Sequence, residues 1–357
     1  MHTRRHHTAF VRAGVPSHSR ASATAVVSPL RRILAAALFV ILASLPAAAQ
    51  GPEGYGVPHL FSLPTATTTR QFGMGGVTTS VKDVGFPNPA FAGMLDMSQG
   101  GVRISVTDFD GGLKLTGTQI WYATPIGEDQ GIQLLGFNLD SDRGTIMTPA
   151  GGLPGTIEET DVAVHYGTRL SERWLVGAGI SPILESESRL LNPVTGDVVS
   201  FSDSDATLGF RAGALYQYAD EGYAGFVFDW YTEDVSFQAP PMPAPQNFDF
   251  TSTEWALGAS GRIAEKWLGA IEWMELKSED GPYEAKAEGL HLGVEYEATD
   301  DIAVRAGNSD GGLTLGAGYT RDNWVVNYAY VKDWNEDSVG AAFGGSDTHQ
   351  LEIGGYW

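Results

Sequence analysis

From Gly101 to its end the chain repeats short segments in which apolar and polar or small residues alternate. In DATLGFRAGALYQYA one face carries Ala206, Leu208, Phe210, Ala212, Ala214, Tyr216 and Tyr218. The other carries Asp205, Thr207, Gly209, Arg211, Gly213 and Gln217, with Leu215 breaking the pattern. TEWALGASGRI sets Trp255, Leu257, Ala259, Gly261 and Ile263 against Glu254, Ala256, Gly258, Ser260 and Arg262, and GLHLGVEYEA sets Leu290, Leu292, Val294 and Tyr296 against His291, Gly293, Glu295 and Glu297. A period of two is that of a β-strand. The second face puts Gly, Ser, Arg and Glu at mid-strand, where a sandwich strand facing bulk water would show Lys and Thr. Small and charged residues there suit the crowded, hydrated interior of a closed barrel.

About fourteen such segments follow one another, near 101–108, 114–124, 131–139, 158–169, 173–186, 205–218, 223–236, 252–263, 266–277, 286–297, 301–308, 312–320, 323–333 and 347–357. Most have the roughly ten residues with which a tilted strand crosses a membrane; 131–139 and 266–277 alternate poorly. Short connections such as LSER, ADEG and AEK alternate with long ones such as DSDRGTIMTPAGGLPGT, ESRLLNPVTGDVVSFSDS and SFQAPPMPAPQNFDFT. That is the pattern of an outer-membrane barrel with periplasmic turns and external loops. The expected fold is all-β, an antiparallel transmembrane β-barrel of about 14 strands. Trp174, Tyr223, Trp255, Trp267 and Trp324 are expected in interfacial girdles. In the final HQLEIGGYW, Leu351, Ile353 and Trp357 share a face. The terminal aromatic resembles the targeting signature of bacterial outer-membrane proteins, which implies the barrel assembly machinery as a partner and outer-membrane lipid around the wall.

The N-terminus changes the picture only by adding export. Six arginines, Arg4 to Arg32, precede the apolar run ILAAALFVILASL and the small triplet Ala47-Ala48-Ala49, the layout of a cleavable signal peptide. The expected organisation is a signal peptide over 1–49, an N-terminal segment over 50–98 and a barrel over 99–357, in the cell outer membrane. The 43 acidic against 22 basic residues, six of the latter in the leader, argue against a nucleic-acid partner. Absence of Cys excludes disulfides and a lipoprotein anchor.

Candidate chemistry is sparse. His59, His165, His291 and His349 have no partners at the spacing of a catalytic triad or metal site, and NSDGG (Asn308 to Gly312) reads as a hairpin turn rather than a calcium loop. Neither an enzyme nor a cofactor is expected. On the inward face Arg103, Arg211, Arg262 and Arg305 accompany Glu254, Glu272, Glu295 and Glu297. Two readings stay open: a salt-bridge network that fills the lumen, or an arginine that receives a substrate carboxylate.

Before the first strand, GMGGVTTSVKDVGFPNPAFAGM (Gly73 to Met94) is too rich in Gly and Pro for a regular helix and too apolar for a spacer. Gly73, Gly75, Gly76, Asp83 and Asn88-Pro89-Ala90 resemble the N-terminal element of the FadL-type superfamily of outer-membrane transporters, which includes PorV/PorQ-like barrels. Here the interval from Asp83 to Asn88 is short, and Phe91 stands where that family has Gly. The resemblance implies a plug, or hatch, inside the barrel that gates passive uptake of hydrophobic small molecules, long-chain fatty acids or aromatic hydrocarbons. The alternative it implies is a PorV/PorQ-like barrel that binds secreted proteins or secretion machinery. Asn88-Pro89 either takes part in transport or only turns the chain into the first strand. The apolar connections Thr145 to Ile157 and Val235 to Phe250 either bind a hydrophobic molecule or pack on each other as a lid.

Overall fold

A computed structural model describes residues 67–83, 88–148, 151–238, 246–280, 283–333 and 345–357; the expected signal peptide and residues 50–66 lie outside them. Fifteen strands follow in chain order. The first five are β1 (Gln99–Phe109), β2 (Lys114–Gly127), β3 (Gln130–Ser141), β4 (Gly144–Thr148) and β5 (Gly151–Arg169). Next come β6 (Trp174–Leu191), β7 (Val198–Ala219), β8 (Gly222–Gln238), β9 (Gln246–Ala264) and β10 (Trp267–Asp280). The chain ends with β11 (Tyr283–Glu297), β12 (Ile302–Ser309), β13 (Gly312–Arg321), β14 (Trp324–Lys332) and β15 (Ser346–Tyr356). Neighbours in sequence pair antiparallel, β1 pairs with β15, and β3 pairs with β5. The ring is therefore closed by fourteen strands, with β4 a short flap on β5 alone. Closure leaves the fourteen-strand ring itself without an unpaired edge, as a sheet in lipid requires.

The alternation resolves into two faces. Val102, Ile104, Ile120, Val164, Leu257, Ile271, Val304, Leu315, Leu351 and Ile353 are exposed on the outside, while Arg103, Gln119, His165, Ser260, Glu272 and Glu352 are buried within. At the short-turn end the outer apolar band is edged by aromatic pairs: Trp174 with Tyr216 at 4.9 Å, Trp267 with Tyr296 at 4.7 Å and Tyr122 with Trp357 at 6.0 Å between ring centroids. Toward the other end it stops at ion pairs, Lys114 with Asp108 at 3.5 Å and Lys286 with Glu275 at 3.0 Å. Trp174, Trp267 and Trp324 take girdle positions. Tyr223 does not: it is buried on the inner side beside Phe91, at 6.2 Å. Trp255 lies in the middle of β9, edge-on to Trp273 at 4.2 Å between ring centroids.

Strands β5 to β11 reach well beyond the expected ends, through most of the stretches read as external loops. Alternation marks only the part of a strand with one apolar face. Beyond the band, VVSFSDSD and QNFDFTST are rich in Ser, Thr, Asp and Asn, and the backbone ladder continues through them. The NSDGG turn is as expected, with Asp310 and Gly311 at φ 45° and 95° joining β12 to β13, the two-residue hairpin geometry that favours Asp-Gly.

The outer band predicts a depth-dependent charge penalty. Leu257→Arg, at a site 57% exposed within the band, costs about 2–4 kcal/mol, and Thr251→Arg, six residues nearer the loop-rich end on the same face, about 0–1 kcal/mol. Unfolding of the two variants by urea from lipid vesicles reads the difference; equal losses would displace the band.

Candidate functional site

The N-terminal segment follows the inner wall. Thr68 opens a one-turn helix, α1 (Thr69–Phe72), through a capping box: its hydroxyl accepts from Gln71 N at 3.2 Å, and the Gln71 side chain accepts from Thr68 N at 3.3 Å. Gly75 and Gly76 then turn the chain at φ 78° and 79°. Asn88 caps a 3-10 turn over Pro89–Met94 by accepting from Ala90 N at 3.1 Å.

Side chains of β9, β10, β11, β13 and β15 hold this backbone, and Asn88 ties it to β7 and β8. Glu272 of β10 accepts from Thr78 N at 2.9 Å, Thr79 N at 2.6 Å and the Thr78 hydroxyl at 3.0 Å. Glu352 of β15 accepts from Thr69 N at 3.3 Å. Thr314 of β13 accepts from Gly75 N at 2.9 Å, and the His291 Nδ1 of β11 lies 2.7 Å from the Gly75 carbonyl. Ser260 of β9 donates to Ser80 O at 2.6 Å, while Asn88 Nδ2 donates to Thr79 O at 2.9 Å and to the wall carbonyls of Ala214 and Phe226 at 3.2 and 3.3 Å.

Steric access comes from glycines. Gly131, Gly167, Gly177 and Gly213 stand opposite one another across β3, β5, β6 and β7, and a Cβ at any of them would overlap Asn88 to Gly93. Gly225 and Gly258 do the same for Thr79, and Gly293 and Gly307 for Met74 and Gly75. Only a wall without side chains at these positions admits a second backbone so close. Leu215, which breaks the alternation of β7, turns inward and packs with Ala90, Phe91 and Tyr223.

The predicted lumen charges separate into local groups rather than one cluster. Arg103 donates to Glu352 at 2.7 to 2.8 Å and to Gln119. Arg211 grips Asp229 through two bonds at 2.5 and 2.6 Å, with Glu254 opposite Asp229 on β9. Arg305 bonds Glu295 at 2.6 Å and Asn327 at 2.9 Å, and Arg70 of α1 grips the same Glu295 at 2.7 and 3.0 Å. Burial works against the Arg70 cation, and Glu295, by charge and hydrogen bond, more than reverses this and raises its pKa. Arg262 joins Glu297 at 2.6 Å, and also Glu221, at the exposed short-turn rim. Asp83 accepts from the Thr68 hydroxyl. Glu297, Arg305, Arg70 and Asp83 line a 430 Å³ polar cleft there.

The alternation pattern missed an apolar inner cluster toward the loop-rich end. Phe72 belongs there to one buried cluster with Phe109, Leu113, Leu115, Phe137, Leu139, Ile157, Leu276, Ala329 and Val331. Poor alternation in 131–139 and 266–277 was its trace: in β3 the apolar residues switch from the outer face at Leu134 to the inner face at Phe137 and Leu139, and Leu276 of the second segment belongs to the cluster.

No family model and no curated protein matches the chain. Among solved structures, a FadL homologue of Pseudomonas aeruginosa aligns over 85% of this chain and 99% of its own, with TM-score 0.58 and 14% identity. The Ralstonia pickettii toluene transporter TbuX aligns over 84% and 100%, with TM-score 0.57 and 12% identity. The Pseudomonas putida toluene transporter TodX aligns over 80% and 95%, with TM-score 0.53 and 14% identity. The chain thus shares its closed antiparallel β-barrel fold with these three structures.

Since the chain has no native Cys, Met74→Cys gives a single probe at a fully buried site. A maleimide is expected to leave it unmodified in the assembled barrel. Adding Gly293→Val, whose side chain would occupy the place of the Met74 carbonyl, is expected to make it reactive while the barrel stays folded.

Proposed function

We propose that the chain is an outer-membrane channel for passive uptake of hydrophobic small molecules, closed by an N-terminal plug within residues 50–98. The observation that carries this reading is the segment itself: its backbone is bonded to wall side chains on β9, β10, β11, β13 and β15, its Asn88 side chain donates to wall carbonyls on β7 and β8, and its Phe72 joins an apolar inner cluster. A ring of fourteen strands is wide enough to conduct unless its interior is filled. The apolar cluster supports a substrate with little polar surface, one that enters from the loop-rich end and meets Phe72 first. The TodX and TbuX structures, described as toluene transporters, support the same substrate class. In this reading the Arg70–Glu295 pair and the Glu272 clamp are the contacts that yield when the plug moves.

Deleting Val57 to Leu95 is expected to leave an assembled barrel, because the wall ladder is untouched. It is also expected to give a steady conductance in planar bilayers that the parent lacks, and to abolish saturable uptake of hydrophobic substrate. An assembled deletion variant that conducts no more than the parent would overturn the plug. It would favour the PorV/PorQ-like reading, with the segment as a docking element for a secreted partner.

A further inference from the structure

The bonds between wall and segment end mostly on main chain. Glu272 takes the amides of Thr78 and Thr79, Glu352 that of Thr69, and Thr314 that of Gly75 while donating to the Gly73 carbonyl at 3.2 Å. His291 and Ser260 meet the carbonyls of Gly75 and Ser80. Nearly every residue carries these groups, so such contacts fix the path of a chain rather than its sequence. Sequence is read at a few points: the Arg70 guanidinium on Glu295, the Thr78 hydroxyl on Glu272, the Asn88 amide on two wall carbonyls, and Met74 and Phe91 in separate apolar clusters. Main-chain bonds for affinity, with pockets for a few side chains, are how a groove recognises an extended peptide.

The covalent link to the barrel adds little besides nearness. Between Leu95 and β1 lie Asp96 and Met97, both exposed, and Ser98, which is bonded to Trp357 at 3.1 and 2.9 Å. Polar clefts of 270 and 430 Å³, beside Lys82 with Asp96 and beside Arg70, open the segment to water at the short-turn end. We infer that the inner wall is a peptide-binding site in its own right: it holds residues 67–83 and 88–95 as a ligand, without need of the link to β1, and accepts the same segment from a second copy of the chain. The inference rests on the plug reading and deepens it, by naming what the interior recognises: an extended main chain carrying an arginine, a threonine and an asparagine at set places. The tether only raises the local concentration of the segment to about the millimolar range.

The test starts from the full chain with a site for a sequence-specific protease inserted between Asp96 and Met97, assembled in detergent and then cut. The freed N-terminal piece is expected to stay with the barrel through gel filtration. Urea at a concentration that keeps the barrel folded, as heat-modifiable migration on gels shows, is expected to release it. The emptied barrel is expected to conduct in planar bilayers, and a labelled synthetic peptide of residues 67–95 to bind it saturably and close it. A peptide of the same composition in scrambled order should do neither. Asn88→Ala in the peptide should weaken binding about tenfold through the loss of its bonds to Ala214 and Phe226. A folded, emptied and conducting barrel that ignores the peptide, or binds the scrambled or Asn88→Ala peptide equally well, would overturn the inference and leave the plug standing. So would a piece that departs only when the barrel itself unfolds. A folded, emptied barrel that conducts no more than the occupied one would overturn the plug reading and the inference together.

Discussion

The structure depends on the contact of one backbone with another. Residues 73–79 and 88–93 lie against a wall from which side chains have been removed at Gly131, Gly167, Gly177, Gly213, Gly225, Gly258, Gly293 and Gly307. Several of these stand opposite one another in register. A glycine weakens a strand and packs nothing of its own. So many on the inner face of one sheet are tolerable because the segment fills the space they leave, and the segment has no place without them.

Electrostatics follows from that contact. Glu272 and Glu352 are almost fully buried, and a buried carboxylate without donors is strongly unfavourable. The segment supplies donors to both, through the amides of Thr78 and Thr79 to the first and of Thr69 to the second. Arg70 adds a second cation to Glu295 beside Arg305. Wall and segment are therefore mutually dependent: withdrawal of the segment exposes glycine backbone, takes the Thr78 and Thr79 donors from Glu272, and leaves Glu352 and Glu295 with one partner fewer.

The wall was legible in the sequence wherever lipid imposes one apolar face, as in 205–218, 252–263 and 286–297. It was not legible where Ser, Thr, Asp and Asn crowd the strand, as in SFSDSD and QNFDFTST, so the outer reaches of β5 to β11 looked like loops. Nor was it where the apolar face switches within one strand, from Leu134 outside to Phe137 and Leu139 inside, so the inner cluster was missed. The motif residues Gly73, Gly75, Gly76, Asn88, Pro89 and Ala90 stood out locally, but their counterparts did not. Arg70, Thr78 and Thr79 look like ordinary polar residues until the wall brings Glu295 and Glu272 to them. Asp229 is hidden within the aromatic run FVFDWY, and its pairing with Arg211 follows only from the β7–β8 register. Tyr223 begins a strand as a girdle residue does, and only its inward parity, shared with the pocket of Phe91, distinguishes it.

Hydrogen exchange of the chain in lipid nanodiscs tests the central claim most directly, because the amides of Thr78 and Thr79 are donors to a wall carboxylate and not to a strand neighbour. The account predicts that they exchange as slowly as amides of the adjacent β9 and β10 ladder. It also predicts that Glu272→Ala brings them to the rate of unstructured chain while the ladder stays protected. Fast exchange of Thr78 and Thr79 in the unaltered protein, beside a protected wall, would contradict it.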